Sequence, residues 1–197
     1  MSTRKPTGAA VLQPEVTQAI TEAVLDELAE QGFGRLSMEA VAKRAGVGKS
    51  ALYRRWPSKH DMISAVVSEF SVTRAEVEDT GSLRGDLMLT LKALQEWITH
   101  PRFSRILPDL VAEGARHPGQ AEVMRTSIAI PRRERGEDML RRAIARGELP
   151  EDTDLEMALD LLAAPMYWRL VVRQAPPGPD YLDRLADLML RALGAKV

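Results

Sequence analysis

The chemistry-bearing residues of this chain gather between Gln31 and His60. Arg35, Lys43, Arg44, Lys49, Arg54, Arg55 and Lys59 are set against a single acid there, Glu39, while the whole chain of 197 residues has a formal net charge of −1. A local surplus of cations on a near-neutral protein is the footprint of a phosphate-binding face. Double-stranded nucleic acid is therefore the first partner to consider. Lys49 and Ser50 suit base edges or a nearby phosphate, and Tyr53, Arg54, Arg55 and Lys59 suit phosphates. Ser37 opens a helix whose N–H groups can meet a further phosphate, and Arg44 and Gly48 complete the candidate contact set. Lysine donates to guanine O6 or N7, whereas serine separates the bases poorly, so part of the sequence readout is expected to come from DNA shape.

Two short helices must position these groups. Met38, Val41, Ala42 and Ala45 recur at helical spacing behind Ser37, a good N-cap, and Gly46 stops the run. Val47 and Leu52 then turn a second helix, roughly 49–55, toward the same core, which leaves Lys49, Ser50, Tyr53 and Arg54 on its outer face. The spacing of Trp56 from Leu52 puts the indole on the buried side. Two helices joined by a tight glycine-containing turn make a helix-turn-helix, whose second helix enters the major groove.

The stretch Ser37 to Lys59, SMEAVAKRAGVGKSALYRRWPSK, preceded by an amphipathic helix ending near Gly32, resembles the N-terminal DNA-binding domain of TetR-family transcription regulators. The Ala45-Gly46-Val47 turn, Leu52-Tyr53, Trp56 and Lys59 carry the resemblance over about fifty residues. The remaining two-thirds is similar to the family in length, helical character and some local phrases. The resemblance implies an all-α protein of about nine helices, with a three-helix DNA-binding domain and a larger C-terminal domain for dimerisation and effector binding.

Other chemistries fit the residues poorly. Gly46-Val47-Gly48-Lys49-Ser50 looks like the end of a P-loop, but Lys43 stands where that motif needs its first glycine, and no strand precedes it. His60, His100 and His117 are far apart, and two of them adjoin prolines at helix starts, so capping or surface roles are expected. Glu151, Asp152, Asp154 and Glu156 lack EF-hand spacing and are explained as acids at a helix N-terminus. No nucleophile-elbow, zincin or dinucleotide fingerprint occurs. The chain has no cysteine, which removes disulfides, thiolate metal sites and thiol catalysis. No cofactor, metal or enzymatic activity is expected. Without a run approaching the roughly 18 apolar residues of a membrane span, a cytoplasmic protein is the default.

Along the chain, residues 1–13 read as a disordered basic arm with Arg4 and Lys5, and residues 14–60 as the DNA-binding domain. Val16, Ile20, Val24 and Leu28 form the stripe of a supporting helix that begins at Pro14 and ends at Gly32. Residues 61–197 read as the effector-binding and dimerisation domain. Pro57 breaks the chain, and Ser58 with Asp61 caps a helix that buries Ile63, Val66, Val67 and Phe70, the candidate transmitter between the two functions. Leu83, Leu87, Leu91, Leu94 and Ile98 mark another helix behind Ser82. Pro108 is expected to kink or end the helix that follows Pro101, and a longer stretch from Pro118 is interrupted at Pro131 and closed by Gly147.

Asp152 or Asp154 caps a helix that is apolar on two faces and therefore needs two partners. Leu155, Leu159, Leu162, Met166 and Leu170 on it, with Leu182, Leu185, Leu188 and Met189 on the last helix, are the candidate dimer interface, packed against their copies as a four-helix bundle. Met88, Leu91, Trp97, Phe103, Leu107, Met124, Ile128, Met166, Tyr167 and Trp168 are the candidate walls of an effector pocket. That composition suits an apolar or aromatic small molecule with few fixed polar contacts. The combined expectation is a homodimeric repressor that sits on a pseudo-palindromic operator and is released by its effector. A non-specific DNA-binding protein, and an all-helical carrier or enzyme with a vestigial helix-turn-helix, are the alternatives.

Overall fold

Short-range chemistry sets where each helix of this protein begins and stops. The computed structural model describes residues 14–73 and 78–196, and the basic arm expected over residues 1–13 lies outside the described residues. The first three helices are α1 (Pro14–Arg35), α2 (Met38–Arg44) and α3 (Lys49–Arg55). They are followed by α4 (Lys59–Thr73), α5 (Leu83–Thr99), α6 (Phe103–Arg116), α7 (Pro118–Met124), α8 (Ile130–Ala145), α9 (Leu155–Tyr167) and α10 (Tyr181–Ala192). π-helical turns, Arg125–Ala129 and Trp168–Val172, extend α7 and α9. Because α7, its π turn and α8 are continuous, the ten α-helical spans make nine rods among the described residues, and no strand accompanies them.

Side-chain caps do much of the punctuation. Ser37 Oγ accepts from Ala40 N–H at 3.1 Å, Ser82 Oγ from Gly85 N–H at 3.2 Å, and Asp154 Oδ1 from Met157 N–H at 3.0 Å. Asp61 N–H donates to Ser58 Oγ at 3.2 Å, and the Ser58 hydroxyl donates to the Asp61 carboxylate at 2.7 Å. Each bond satisfies a donor that the first turn of a helix leaves open. The stripe of α1 begins one turn later than its spacing predicts, because Ile20, Val24 and Leu28 are buried while Val16 is exposed.

The prolines behave differently from expectation. α6 runs through Pro108 without ending. Its Phe103, Ile106, Leu107 and Leu110 are buried, and this tertiary packing against α1 and α5 outweighs the hydrogen bond that proline removes. Pro131 follows a π turn in which Ile130 N–H reaches back to Arg125 O. The wider turn places the register shift beside the residue that lacks a donor.

One continuous core runs from Ile20 to Leu190. α1 packs on α2, α4 and α6; α4 packs on the first π turn and α8; α5 is central, touching α6, α8, α9 and α10. At the junction Phe70 stacks on Phe103 with centroids 5.1 Å apart, and Trp97 lies 4.5 Å from Phe103. The helix-turn-helix thus shares its apolar interior with the rest of the molecule. Polar bonds reinforce the seam: Arg102 pairs with Glu22 at 2.5 Å and Asp26 at 2.7 Å, and Phe33 N–H donates to Asp109 at 2.7 Å. The α-conformation of α1 breaks at Gly32, whose φ is 75°. A Cβ at Gly32 would lie 3.0 Å from the Asp109 carboxylate, so both backbone angle and close approach require glycine there.

Candidate nucleic-acid interface and ligand cavity

The turn between α2 and α3 is a Schellman motif. Val47 N–H donates to Ala42 O at 3.0 Å and Gly46 N–H to Lys43 O at 3.3 Å, with Gly46 in the left-handed region at φ 67°. Leu52, fully buried, and Trp56 then fix α3 to the core. That anchoring decides which side chains face out. Gly48, Lys49, Ser50, Tyr53 and Arg54 are all exposed, and Tyr53 is 48% exposed, unusual for so large a ring. Lys49 Nζ lies 2.5 Å from Glu39, a pair open to solvent, and the hydrogen bond from Lys49 holds the Glu39 carboxyl below the usual carboxylate range.

The other residues of the sequence-derived set are engaged by the fold itself. The Arg44 guanidinium meets three acids of α1: Glu30 at 2.5 Å, Glu27 at 2.8 Å and Asp26 at 3.8 Å. Its hydrogen bond to Glu30 and the neighbouring carboxylates keep it firmly protonated. Arg55 donates to Thr17 Oγ1 at 2.6 Å and lies over Trp56 at 4.6 Å. Lys59 Nζ donates to Phe33 O at 2.9 Å and Gly34 O at 3.4 Å, at the end of α1. Burial pushes the Lys59 ammonium down and the Glu113 charge partly restores it. Ser37, half-buried, spends its oxygen on the α2 cap. The structure therefore brings Lys49, Ser50, Tyr53 and Arg54 onto one surface, while Arg44, Arg55 and Lys59 brace that surface.

Behind the junction, α5, α6, the first π turn, α8 and α9 line a cavity of about 1000 Å³ that is partly open to solvent. Trp97, Leu107, Met124, Ile128 and Tyr167 line it, as their types suggest. The remaining pocket candidates are elsewhere: Leu91, Phe103 and Met166 are sealed in the core, Met88 packs against the core away from the cavity wall, and Trp168 is 59% exposed. The wall also differs from the expected composition, because Thr90, Asp86, Arg132, Arg133 and Arg142 stand on it. Arg133 pairs with Glu156 and, at 2.7 Å, with Asp160. Asp86 is fully buried. Burial pushes its carboxyl up, but Thr80 N–H at 2.8 Å, Thr80 Oγ1–H at 2.7 Å and Arg146 at 3.2 Å outweigh this and lower its pKa.

Arg132 was not legible as a site residue, since nothing in Ile130-Pro131-Arg132-Arg133 separates the arginine that faces inward from its neighbour. Its guanidinium lies 4.1 Å over the Trp97 ring and donates to Ser71 O at 3.0 Å. Burial pushes it down to about 10.

The dimer candidates also divide. Leu159, Met166, Leu185 and Met189 are buried inside the subunit; Leu155, Leu162, Leu170 and Leu182 are half-buried, and Leu188 is 54% exposed. Alongside Leu188, the large apolar side chains left open on these elements are Met157, Trp168 and Val172. Among the described residues, no group of three or more His, Asp or Glu side chains is arranged to hold a metal, and no helix is long and apolar enough to cross a membrane.

Comparison with known proteins accounts for both halves. The sequence pattern described as "Bacterial regulatory proteins, tetR family" matches residues 20–66, and that described as "Tetracyclin repressor-like, C-terminal domain" matches residues 77–189. An uncharacterized HTH-type transcriptional regulator of Bacillus subtilis, YdeS, is 30% identical over 89% of this chain and 86% of its own length. A protein of Mycobacteroides abscessus named as the DNA-binding transcriptional repressor TetR is 30% identical over 89% of this chain and 92% of its own. The crystal structure of the TetR-family regulator SCO0332 superposes with a TM-score of 0.69 at 29% identity, covering 90% of this chain and 97% of that one. These relatives are regulators of transcription rather than enzymes, and the chain belongs to the TetR family of transcriptional regulators.

Proposed function

We propose that this protein is a homodimeric repressor that holds a pseudo-palindromic operator through paired α3 helices and leaves it when a small molecule fills the cavity. The observation that carries the reading is the outer face of α3, where Lys49, Ser50, Tyr53 and Arg54 are presented to solvent by a helix locked from behind by Leu52 and Trp56. A rigid rod with exposed donors and no apolar outer residue but a tyrosine suits a major groove lined by phosphates. Repression rather than activation is favoured by the name of the Mycobacteroides abscessus relative. The DNA-binding unit spans 14–60, and 61–197 carries ligand and dimer contacts. The site of action is the cytoplasm, where the DNA is.

Two half-sites about one helical turn apart match a two-fold dimer. Cavity and operator face communicate through α6, which lines the cavity at Leu107 and Val111 and is tied to α1 by Asp109 and Arg102. α4 leads from the α3 face to the first π turn, where Ser64 and Ser127 share a hydrogen bond of 2.6 Å. Occupation that moves α6 or the π turn favours a conformer with a different α3 spacing, and DNA affinity falls by population shift.

The test is a mobility-shift titration on the DNA upstream of the protein's own gene, against scrambled competitor, at low and moderate salt. Preference for the upstream DNA that survives at moderate salt is expected. Equal affinity for both DNAs would make this a non-specific binder, and no affinity for either would leave only a ligand carrier.

A further inference from the structure

We infer that the cavity is built for an organic acid, an apolar or aromatic body ending in a carboxylate that Arg132 and Trp97 grip together. The inference rests on reading the cavity as the effector site and names the class of molecule it takes. Two independent features of the wall point to it.

The first is Arg132. A guanidinium has five N–H donors and cannot be discharged at physiological pH. Here it is half-buried and its assigned acceptor is the Ser71 carbonyl. Among the described residues no carboxylate lies within ion-pair distance of it. The neighbouring charges are differently placed: Arg133 has Glu156 and Asp160, and Asp86 has Arg146 and Thr80. Burial alone lowers the Arg132 pKa, with no anionic neighbour raising it. A desolvated cation without an anion is costly, and a ligand carboxylate would supply what is missing through a two-pronged pair.

The second is Trp97. Its indole is 4% exposed, lines the cavity, and its Nε1–H is buried with no hydrogen-bond acceptor. Buried indole N–H groups normally find a partner. The Arg132 guanidinium lies against this ring at 4.1 Å, so the cation without a carboxylate partner and the indole without an acceptor form one stacked pair. The lining also includes the apolar side chains of Leu94, Ile98, Leu107 and Met124. A flat apolar body against those side chains with its carboxylate toward the Arg132–Trp97 pair satisfies both surfaces. A neutral aromatic ligand would leave the Arg132 charge without an anion, and a cationic one would add a second positive charge beside it.

The experiment measures binding of matched probes to the full-length protein by calorimetry: 1-naphthaleneacetate, 1-naphthaleneacetamide and 1-naphthylethylamine, with the corresponding phenyl and biphenyl series to vary the body. The acid of at least one series is expected to bind at least ten times more tightly than its amide and amine. Arg132→Gln should remove that preference while amide binding is kept, Arg132→Lys should keep part of it, and Trp97→Phe should weaken the acid severalfold. If Arg132→Gln does not fold, the wild-type ranking and Arg132→Lys still decide. Amide or amine binding as tight as the acid, or no binding of any series, overturns the inference. Measuring upstream-DNA affinity with the bound acid separates the two readings: an acid that binds selectively but leaves DNA affinity unchanged upholds the site and removes its effector role.

Discussion

On the proposed operator face, Lys49 carries a charge that is already partly spent. Lys49 is held by Glu39 at 2.5 Å, with both groups open to solvent. Solvent-exposed pairs of this kind contribute little to stability, so Lys49 can exchange Glu39 for a phosphate at small cost. Glu39 nonetheless places a negative charge on the surface proposed to meet phosphates. Glu39→Gln is therefore expected to raise duplex affinity about threefold at low salt and to steepen the dependence of log K on log salt by up to about 0.9, the increment of one additional neutralised phosphate. Tyr53→Ala acts in the opposite direction. It removes a hydroxyl carried outward by an exposed ring and should lower upstream-DNA affinity about tenfold, the size of one hydrogen bond to a charged group, with an unchanged melting temperature. Fluorescence anisotropy across a salt series checks both, and an affinity unmoved by either variant would show that α3 does not face DNA. Arg44 illustrates why sign alone cannot assign a contact. It belongs to the same basic run, but three carboxylates of α1 engage it, so its loss should loosen α1 against α2 before it weakens DNA binding.

At the scale of elements, the seam between α1 and α6 joins a helix that lines the cavity to the first helix of the proposed DNA-binding unit. Asp109 accepts from Phe33 N–H beyond the break in α1, and Gly32 gives it room. The bond leaves no slack, so a shift of α6 must be passed on to the end of α1 and to Lys59, which holds the Phe33 carbonyl. Asp109→Ala should keep upstream-DNA binding and probe binding within about threefold while reducing the ligand-driven loss of DNA affinity, a coupling typically worth about 1–3 kcal/mol. A coupling of wild-type size in that variant, from paired titrations with and without probe, would return the transmitter role to α4 alone. The contrast between these elements also shows what the sequence could disclose. Ser37, Gly46 and Leu52 were readable because capping, a left-handed turn and helical spacing depend on residues a few places away. Pro108 misled because its effect depends on the burial of Phe103, Ile106 and Leu110 against other helices. Phe103 and Leu91 were right as apolar residues but unassignable between core and cavity, a distinction made only by the elements facing them. Arg132 carries no periodic signal at all, and its importance comes from the Trp97 ring that tertiary folding sets beneath it.

For the whole molecule, the far side of α9 and α10 is where large apolar side chains stay exposed. Both helices pack on α5, and Leu159, Met166, Leu185 and Met189, four of the nine residues whose spacing suggested a dimer contact, are buried inside the subunit. The same packing leaves Met157, Trp168, Val172 and Leu188 open, at 66%, 59%, 50% and 54% exposure. So much large apolar surface on one pair of helices is unusual for a monomer, and a tryptophan there has the character of an interface anchor. The proposed dimer would use these outward faces, which keep Leu188 from the set that spacing suggested and add Met157, Trp168 and Val172. Trp168→Glu combined with Leu188→Glu places charges where a two-fold contact would oppose each to its copy, without touching the subunit core. Sedimentation at micromolar concentration should then show monomers with native helix content. Upstream-DNA affinity should fall at least about a hundredfold, because each subunit loses the effective concentration its partner gives it at the second half-site. Binding to a single half-site should change far less. A double variant that sediments as a dimer would place the two-fold contact on another surface and leave these four side chains unexplained.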